Sequence, residues 1–274
     1  MKTGLLESQV YPVIQPIGST RCWQVVSASV RGVRHEASGL PCQDACQWRM
    51  AGSDVLIAAA ADGLGSAAQS EIGSAVATQA AVDQLSANRP LPEDPYDVKA
   101  WEIRMTEALE SAMSAVKQEA ERRKAAVREL ATTLILVVAT PRGTVAVQVG
   151  DGAVVIEDQE NHLIALTAPP AGEYANETDC LVSSNVIQVA QGSFWPVAPR
   201  SIAIFTDGLQ RLALQLPMAH PHPAFFSPLF RFVSEVEAHP TANDELKAFL
   251  ESPRIRERAD DDLTLLLAHL TEVE

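Results

Sequence analysis

VLIAAAADG at residues 55–63, TVAVQVGDG at residues 144–152 and SIAIFTDG at residues 201–208 are three apolar segments that end in the same Asp-Gly dipeptide. A fourth segment, DDLTLLLAH at residues 261–269, begins with two aspartates. Short apolar runs bounded by turn residues predict buried strands. If the ends of these strands share one edge, their aspartates form a carboxylate cluster.

The Asp-Gly dipeptide also has a purely structural interpretation. It is a favoured hairpin turn, so any one copy is more often a turn than a metal ligand. Asp151-Gly152 fits a hairpin best, whereas Asp62-Gly63 fits it least, because a loop and then a helical pattern follow it. Repetition of the pattern favours a shared site. Carboxylates without histidines suit magnesium or manganese, whereas zinc prefers imidazole or thiolate.

Hydrophobic periodicity predicts the remaining elements. Helices are predicted at residues 71–85, along a stripe from Met105 to Ala120, and at residues 225–238 and 243–250. Strands are predicted at residues 23–30, 55–61, 133–139, 144–149, 153–156, 163–166, 181–189, 202–206 and 263–269. We expect the first two strands to be neighbours and residues 133–156 to form an antiparallel meander. Paired helices and antiparallel turns favour a β-sandwich flanked by helices over a doubly wound sheet.

Composition bounds the class of protein. With 47% hydrophobic residues, the chain can bury a large core, and 274 residues fit one domain. We therefore expect an N-terminal arm at residues 1–20 and a single domain at residues 21–274. The four cysteines fit no zinc or disulfide framework and are predicted to be free thiols.

Charge excludes several partners. The chain has 21 basic and 35 acidic residues, for a net charge of -14, which disfavours nucleic acid and anionic membrane surfaces. The longest apolar run, residues 55–61, is too short to span a bilayer, and the N-terminus lacks the pattern of a secretory signal. These features predict a soluble, cytoplasmic protein.

A series of short motifs follows in a fixed order along the chain: Gln43-Asp44, AADGLGSA at residues 60–67, ATTL at 131–134, VGDG at 149–152, FTDGL at 205–209 and DDLTLLL at 261–267. This series resembles that of the type 2C (PPM) family of metal-dependent serine/threonine protein phosphatases. The resemblance covers about residues 22–269. GVRHEASGLPCQDA at residues 32–45 and GEYANET at residues 172–178 resemble a bacterial subgroup that includes the enterobacterial phosphatase encoded beside a protein kinase.

The resemblance implies an α+β fold, a four-layer α-β-β-α sandwich with two mainly antiparallel sheets and a divalent-metal site at one edge. It implies two core Mg²⁺ or Mn²⁺ ions and a third, weaker one. Asp62 would bridge the two core ions, and catalysis would depend on Asp62, Asp207 and Asp261 through metal-bound water. The metal ligands that the resemblance implies are Asp44, Asp62, the carbonyl of Gly63, Asp151, Asp207 and Asp261.

The sequence departs from the family in two ways. Leu64 stands where the animal enzymes carry a histidine proposed as the general acid, so that a metal-bound water must protonate the leaving oxygen. The arginine that usually grips the phosphate is absent from residues 39–42, which leaves Arg34 or His35 as candidates. Thr132 and Thr133 are interpreted as structural strand residues near the site.

The implied activity is hydrolysis of phosphoserine and phosphothreonine in proteins, opposing a bacterial serine/threonine kinase or acting on its target. Two alternatives stay open: a catalytically weak phosphoprotein-binding module of the same fold, and a phosphatase of small phosphoesters. The GEYANET segment is predicted to form a mobile flap near the site, because it is polar and lies between strands.

Overall fold

The computed structural model describes residues 6–7, 20–87, 91–92, 97–170, 179–236 and 241–273. Most of the predicted arm and the whole GEYANET segment lie outside these residues. The predictions for the arm and for a mobile flap therefore stay predictions.

The strands carry most of the core. In chain order they are β1 (Leu6–Glu7), β2 (Thr20–Val30), β3 (Ala45–Ala51), β4 (Val55–Ala61), β5 (Leu134–Thr140), β6 (Gly143–Val149), β7 (Ala153–Glu157), β8 (Leu163–Thr167), β9 (Gln191–Trp195), β10 (Ser201–Phe205), β11 (Leu214–Gln215), β12 (His220–Pro221) and β13 (Leu263–Val273).

The helices cover the outer faces of the sheets. They are α1 (Val33–Ser38), α2 (Ser70–Ser86), α3 (Val98–Arg123), α4 (Val186–Val189), α5 (Gln210–Ala213), α6 (Pro223–Glu235), α7 (Ala242–Leu250) and α8 (Pro253–Arg256), with 3₁₀ turns at Val127–Leu130 and Asp207–Leu209.

Two sheets form the centre of the molecule. The first sheet has the strand order β1-β9-β6-β5-β4-β3, and the second has the order β2-β13-β10-β7-β8. Their pairs are antiparallel except for β1, which runs parallel to β9. β11 and β12 form a separate hairpin.

Side-chain alternation on the central strands builds four layers. On β4, Ile57, Ala59 and Ala61 pack with α2 and α3, whereas Leu56, Ala58 and Ala60 pack against the second sheet. β10 behaves likewise: Ala203 and Phe205 pack with α6 and α7, whereas Ile202 and Ile204 face the first sheet. Strands buried on both faces read as continuous apolar runs. The predicted α-β-β-α sandwich is confirmed.

Strand register brings the aspartates to one edge. Because β3 and β4 are antiparallel, Ala45 pairs with Ala61, so that Asp44 and Asp62 leave the first sheet at the same end. In the second sheet Phe205 pairs with Leu265, which places the exit of β10 beside the entry of β13.

Two predicted pairings are wrong. β2 and β4, expected to be neighbours, lie in different sheets. The meander ends at β6, because β7 crosses to the second sheet and pairs with β10 and β8. Asp151-Gly152 therefore joins the two sheets and is not a hairpin turn. Local turn chemistry does not reveal which sheet the next strand joins.

Two other differences have local causes. The prediction of a strand at residues 181–189 is wrong. Leu181 and Val186 are buried, but Leu181 lies in a turn and Val186 lies in α4. Its Ser-Ser-Asn centre favours turns. β3 was not predicted, because it is an edge strand whose central residues are exposed and it lacks an apolar alternation.

The junction between α2 and the 3₁₀ turn at Val127–Leu130 generates a stability prediction. A Cβ on Gly73 would lie 2.1 Å from the carbonyl oxygen of Leu130. Gly73→Ala should therefore destabilise the fold by about 1–3 kcal/mol through overpacking, although alanine normally favours a helix by about 1 kcal/mol. Urea unfolding measures the change.

Gly65→Ala is the matched control, because a Cβ there meets nothing within 4 Å. It should leave the free energy of unfolding unchanged or raise it by up to about 1 kcal/mol. A Gly73→Ala protein as stable as the wild type would contradict the close contact.

Candidate metal centre

Asp62 is held by its backbone. Thr133 Oγ1 accepts the Asp62 N–H at 2.8 Å. The Asp62 carbonyl accepts hydrogen bonds at 2.8 Å from Thr133 N–H and from Thr132 Oγ1. The two threonines thus fix the strand end without using the Asp62 carboxylate, which agrees with their interpretation as structural residues.

Gly63 occupies a confined position. It bridges to Thr132, and its N–H donates to the carbonyl of Gln43 at 3.2 Å. A Cβ on Gly63 would lie 2.7 Å from Gln43 O and from Ser70 Cβ. A side chain at this position would therefore force the start of α2 away from the Gln43-Asp44 segment.

Three aspartates from different parts of the fold converge. One carboxylate oxygen from each of Asp62, Asp151 and Asp207 lies within 4.8 Å of the others. Asp62 follows β4 in the first sheet, Asp207 follows β10 in the second, and Asp151 lies on the link between the sheets. The cluster therefore forms where the two sheets meet at one edge of the sandwich.

Asp44 lies beside this cluster and joins the two sheets. Its Oδ2 accepts a hydrogen bond from Thr206 Oγ1 at 2.7 Å, and the same hydroxyl accepts the Thr264 N–H at 3.1 Å. Asp44 is only 8% exposed, and its Oδ1 has no hydrogen-bond donor among the described residues. A buried carboxylate oxygen without a donor is costly unless a cation or proton compensates it.

Burial, and then the charge of neighbouring carboxylates, raises the pKa values of three of these acids. Burial, with Asp262 as a smaller cause, raises the pKa of Asp44 to about 7 despite the opposing hydrogen bond from Thr206. Burial and then the charges of Asp44 and Asp207 raise the pKa of Asp62 well above its usual value. Burial, followed by Asp151, Asp44 and Asp261, raises the pKa of Asp207 to about 7. The site thus favours bound positive charge.

Asp262 has a different role from its neighbour. It is 1% exposed, and its carboxylate accepts the N–H groups of Gly32 and Gln43, both at 2.6 Å. It thereby fixes the backbone of Gln43, immediately before Asp44. Asp261 is partly exposed, and its Oδ1 accepts the Asp262 N–H at 2.9 Å. Sequence reasoning missed the role of Asp262, since two adjacent aspartates carry no signal of which one is buried.

The two candidates for phosphate binding lie on α1. Arg34 is exposed, with Nη1 3.7 Å from Asp260 Oδ2. His35 Nδ1 lies 2.9 Å from Asp262 Oδ2, and together with Asp261 and Asp262 it forms a second group of potential ligands. Neither residue belongs to the cluster of Asp62, Asp151 and Asp207.

The donor set fits a hard divalent cation. Carboxylate oxygens from Asp44, Asp62, Asp151 and Asp207 are the ligands that magnesium and manganese prefer. Cys42 is the nearest thiol in sequence, and burial, followed by the charge of Asp44, raises its pKa far above the ordinary value. The thiol is therefore protonated in the metal-free protein. All four cysteines are free, as predicted.

In the described part of the chain, no helix combines the length and apolar character that crossing a bilayer requires.

Comparison with known proteins gives consistent matches. Residues 31–251 match the family model described as "Protein phosphatase 2C". The chain is 35% identical over 257 residues to serine/threonine-protein phosphatase 3 of Escherichia coli, covering 90% of this chain and 98% of that protein.

Solved structures share the fold. A serine/threonine phosphatase of Staphylococcus aureus aligns with a TM-score of 0.62 and 12% identity, covering 97% of this chain and 100% of that one. The catalytic domain of the serine/threonine protein phosphatase PstP, solved with two manganese ions, aligns with a TM-score of 0.61 and 17% identity, covering 92% and 100%. The chain belongs to the protein phosphatase 2C family and is a bacterial protein serine/threonine phosphatase.

Proposed function

We propose that this chain hydrolyses phosphoserine and phosphothreonine in proteins by water, at a centre of divalent cations held by the aspartates at the sandwich edge. The observation that carries the proposal is the convergence of Asp62, Asp151 and Asp207. Beside them lies Asp44, whose Oδ1 has no hydrogen-bond donor among the described residues. Acids that raise one another's pKa at a buried edge require compensating charge, and Mg²⁺ or Mn²⁺ supplies it.

The proposed ligand set divides the acids by role. Asp62, the carbonyl of Gly63, Asp207 and Asp261 would hold two core ions, and Asp44 would bind one of them directly or through water. Asp151 would recruit a third, weaker ion. Two manganese ions in the related PstP catalytic domain support a paired centre. Bound cations would lower the pKa of a water molecule and neutralise charge on the phosphoryl oxygens.

The described residues of the site position this chemistry, and the proposed nucleophile is water. Burial keeps the Cys42 thiol protonated, which disfavours a covalent phosphoenzyme. Leu64 cannot transfer a proton, so the proton for the leaving oxygen comes from water. Asp262, with hydrogen bonds to Gly32 and Gln43, positions Asp44 and is not itself assigned as a ligand.

The proposed substrate is a phosphorylated protein, a serine/threonine kinase or its target, in the bacterial cytoplasm. The similarity to serine/threonine-protein phosphatase 3 of Escherichia coli over most of both chains supports this class. The net charge of -14 disfavours nucleic acid and anionic membrane as partners.

The first prediction from the proposed function concerns metal dependence. Chelator should abolish hydrolysis of a phosphothreonine peptide, and added Mn²⁺ or Mg²⁺ should restore it, because sites of carboxylates without imidazole bind these ions only moderately. Phosphate release measures turnover. Full activity in metal-free buffer would contradict the proposal, and binding of the phosphopeptide without turnover at saturating metal would favour a non-catalytic binding module.

The second prediction ranks the acids. Asp62→Asn should lower the turnover rate about 10²–10³-fold. The reason is that losing a ligand shared by two ions should raise the free energy of activation by several kcal/mol. Asp207→Asn and Asp261→Asn should each weaken one ion and cost less. Asp151→Asn should keep two ions bound and slow hydrolysis. Turnover and metal titration calorimetry measure both effects.

Two outcomes would overturn these assignments. Wild-type turnover in Asp62→Asn would refute the bridging role. Normal turnover in Asp151→Asn would leave that residue with only its structural role between the sheets.

The third prediction concerns pH. Folding raises the pKa of Asp207 to about 7, so that the metal-free native state binds more protons than the unfolded chain between about pH 4 and pH 7. This contribution to stability is therefore present at low pH and is lost as the pH rises through 7.

Asp207→Asn, which removes the charge, should match the wild type at pH 4. In chelator at pH 8 it should be more stable by on the order of 1 kcal/mol or more, since one pKa unit corresponds to about 1.36 kcal/mol. Urea unfolding at both pH values measures this. Equal stability of the two proteins at pH 8 would contradict the raised pKa.

A further inference from the structure

An open groove of about 1130 Å³ lies on the helical layer of the second sheet. Residues of α5, α6, α7 and α8, and of the segment that leads to β13, line it. We name it the arginine groove. None of the proposed metal ligands lines it, so it needs a separate explanation.

Aromatic side chains give the groove its apolar surface. Phe225 and Phe232 on α6 and Phe249 on α7 line it, and each is only partly buried. They are three of the seven phenylalanines in the chain. Phe226 and Phe230, on the same helix, are instead fully in the core. Accessible aromatic surface in a concave site is typical of peptide-binding and ligand-binding grooves.

The charge of the groove is opposite to that of the chain. Its lining carries more arginines than carboxylates: Arg211, Arg254, Arg256 and Arg258 against Glu245, Glu257 and Asp260. Arg256 is paired with Glu36 on α1. The other three arginines are exposed, and no ion pair holds them within the described residues. The lining therefore has an excess of one positive charge, four arginines against three carboxylates, in a chain with a net charge of -14.

The groove also offers a backbone acceptor. Pro228 lies inside α6 and has no N–H, so the carbonyl of Ala224 lacks its partner one turn later in the helix. Both residues line the groove. The Ala224 carbonyl is therefore an acceptor that Pro228 does not satisfy.

The groove reaches the proposed metal centre through the chain itself. Asp260 lines the groove, and its carbonyl accepts the Arg34 N–H at 3.0 Å. The next residue, Asp261, contributes to the raised pKa of Asp207 through its charge. A segment bound in the groove therefore lies next to the loop that carries a proposed ligand.

We propose that the arginine groove is a docking site for an acidic segment of the phosphoprotein substrate that carries aromatic or large aliphatic residues. The apolar residues of the segment pack on Phe225, Phe232 and Phe249, and its carboxylates pair with Arg211, Arg254 and Arg258. This inference rests on the proposed function, because it assigns the groove to the same substrate whose phosphate is hydrolysed.

The probes are phosphothreonine peptides with one common core. One is the core alone, and the others carry a Phe/Leu and Asp/Glu extension on the N-terminal or C-terminal side, joined by a Gly-Ser linker. One of the extended peptides should raise kcat/KM about tenfold over the core, mainly through a lower KM, because about 1.4 kcal/mol of added binding is tenfold in affinity. Hydrolysis of p-nitrophenyl phosphate, which has no peptide extension, measures the activity of the metal centre without docking.

Matched charge variants locate the effect. Arg254→Glu with Arg258→Glu should remove the advantage of the extension and leave hydrolysis of p-nitrophenyl phosphate unchanged. Lys99→Glu with Lys117→Glu, exposed on α3 in the opposite helical layer, makes the same change in net charge and should keep the advantage. Fluorescence anisotropy of a labelled, unphosphorylated extension peptide should show binding that the arginine variant loses and the lysine variant retains.

Several results would overturn the inference. Equal kcat/KM for core and extended peptides, with normal turnover of the core, would refute docking and leave the proposed function intact. A wild type that binds the labelled extension but hydrolyses no phosphopeptide would refute the proposed function and the substrate assignment with it. Concentration-dependent dimerisation that is lost in the arginine variant would assign the groove to a second copy of the chain.

Discussion

Burial of several carboxylates at one place, reinforced by their mutual repulsion, is the constraint on which the edge of this molecule depends. Asp44, Asp62 and Asp207 each have a raised pKa, and burial is the largest cause for all three. A stable fold does not bring such groups together without compensation by protons or cations. The pKa values of Asp44 and Asp207 are about 7, so protons compensate these two carboxylates only partly at neutral pH. Bound cations are the compensation on which the proposed function relies.

The fold holds these acids in place through other groups. Thr132 and Thr133 satisfy the backbone of Asp62, and Asp262 satisfies the backbone of Gly32 and Gln43. Thr206 ties the second sheet to Asp44 of the first. Hydroxyls, backbone amides and the Asp262 carboxylate supply this positioning, and Oδ1 of Asp44 has no donor among the described residues. The strand ends are thus held largely by groups that are not proposed metal ligands.

Much of this arrangement could be predicted from the sequence, and the rest could not for a physical reason. Strand ends at Asp62 and Asp207 carry a strong local signal, because a doubly buried strand is a continuous apolar run that a polar residue must end. The pairing of the strands carries no such local signal. The crossing of β7 to the second sheet and the bond from Thr206 to Asp44 join residues far apart in sequence, and no local pattern encodes them. The sequence does not predict the edge strand β3, because its central residues are exposed on both faces and show no apolar alternation.

Charge poses a problem for a phosphatase of this composition. A chain with a net charge of -14 repels a phosphorylated, acidic substrate at long range. In the proposed arrangement, the sign of the field is reversed in two places, at the cations of the acid cluster and at the exposed arginines of the groove. Repulsion between the rest of the acidic surface and an acidic substrate then disfavours binding at other places. A substrate that contacts both the cations and the arginine groove is attracted at each. Asp260, which lines the groove, directly precedes the proposed ligand Asp261 in the chain. Selectivity then comes from the local charge pattern rather than from the net charge.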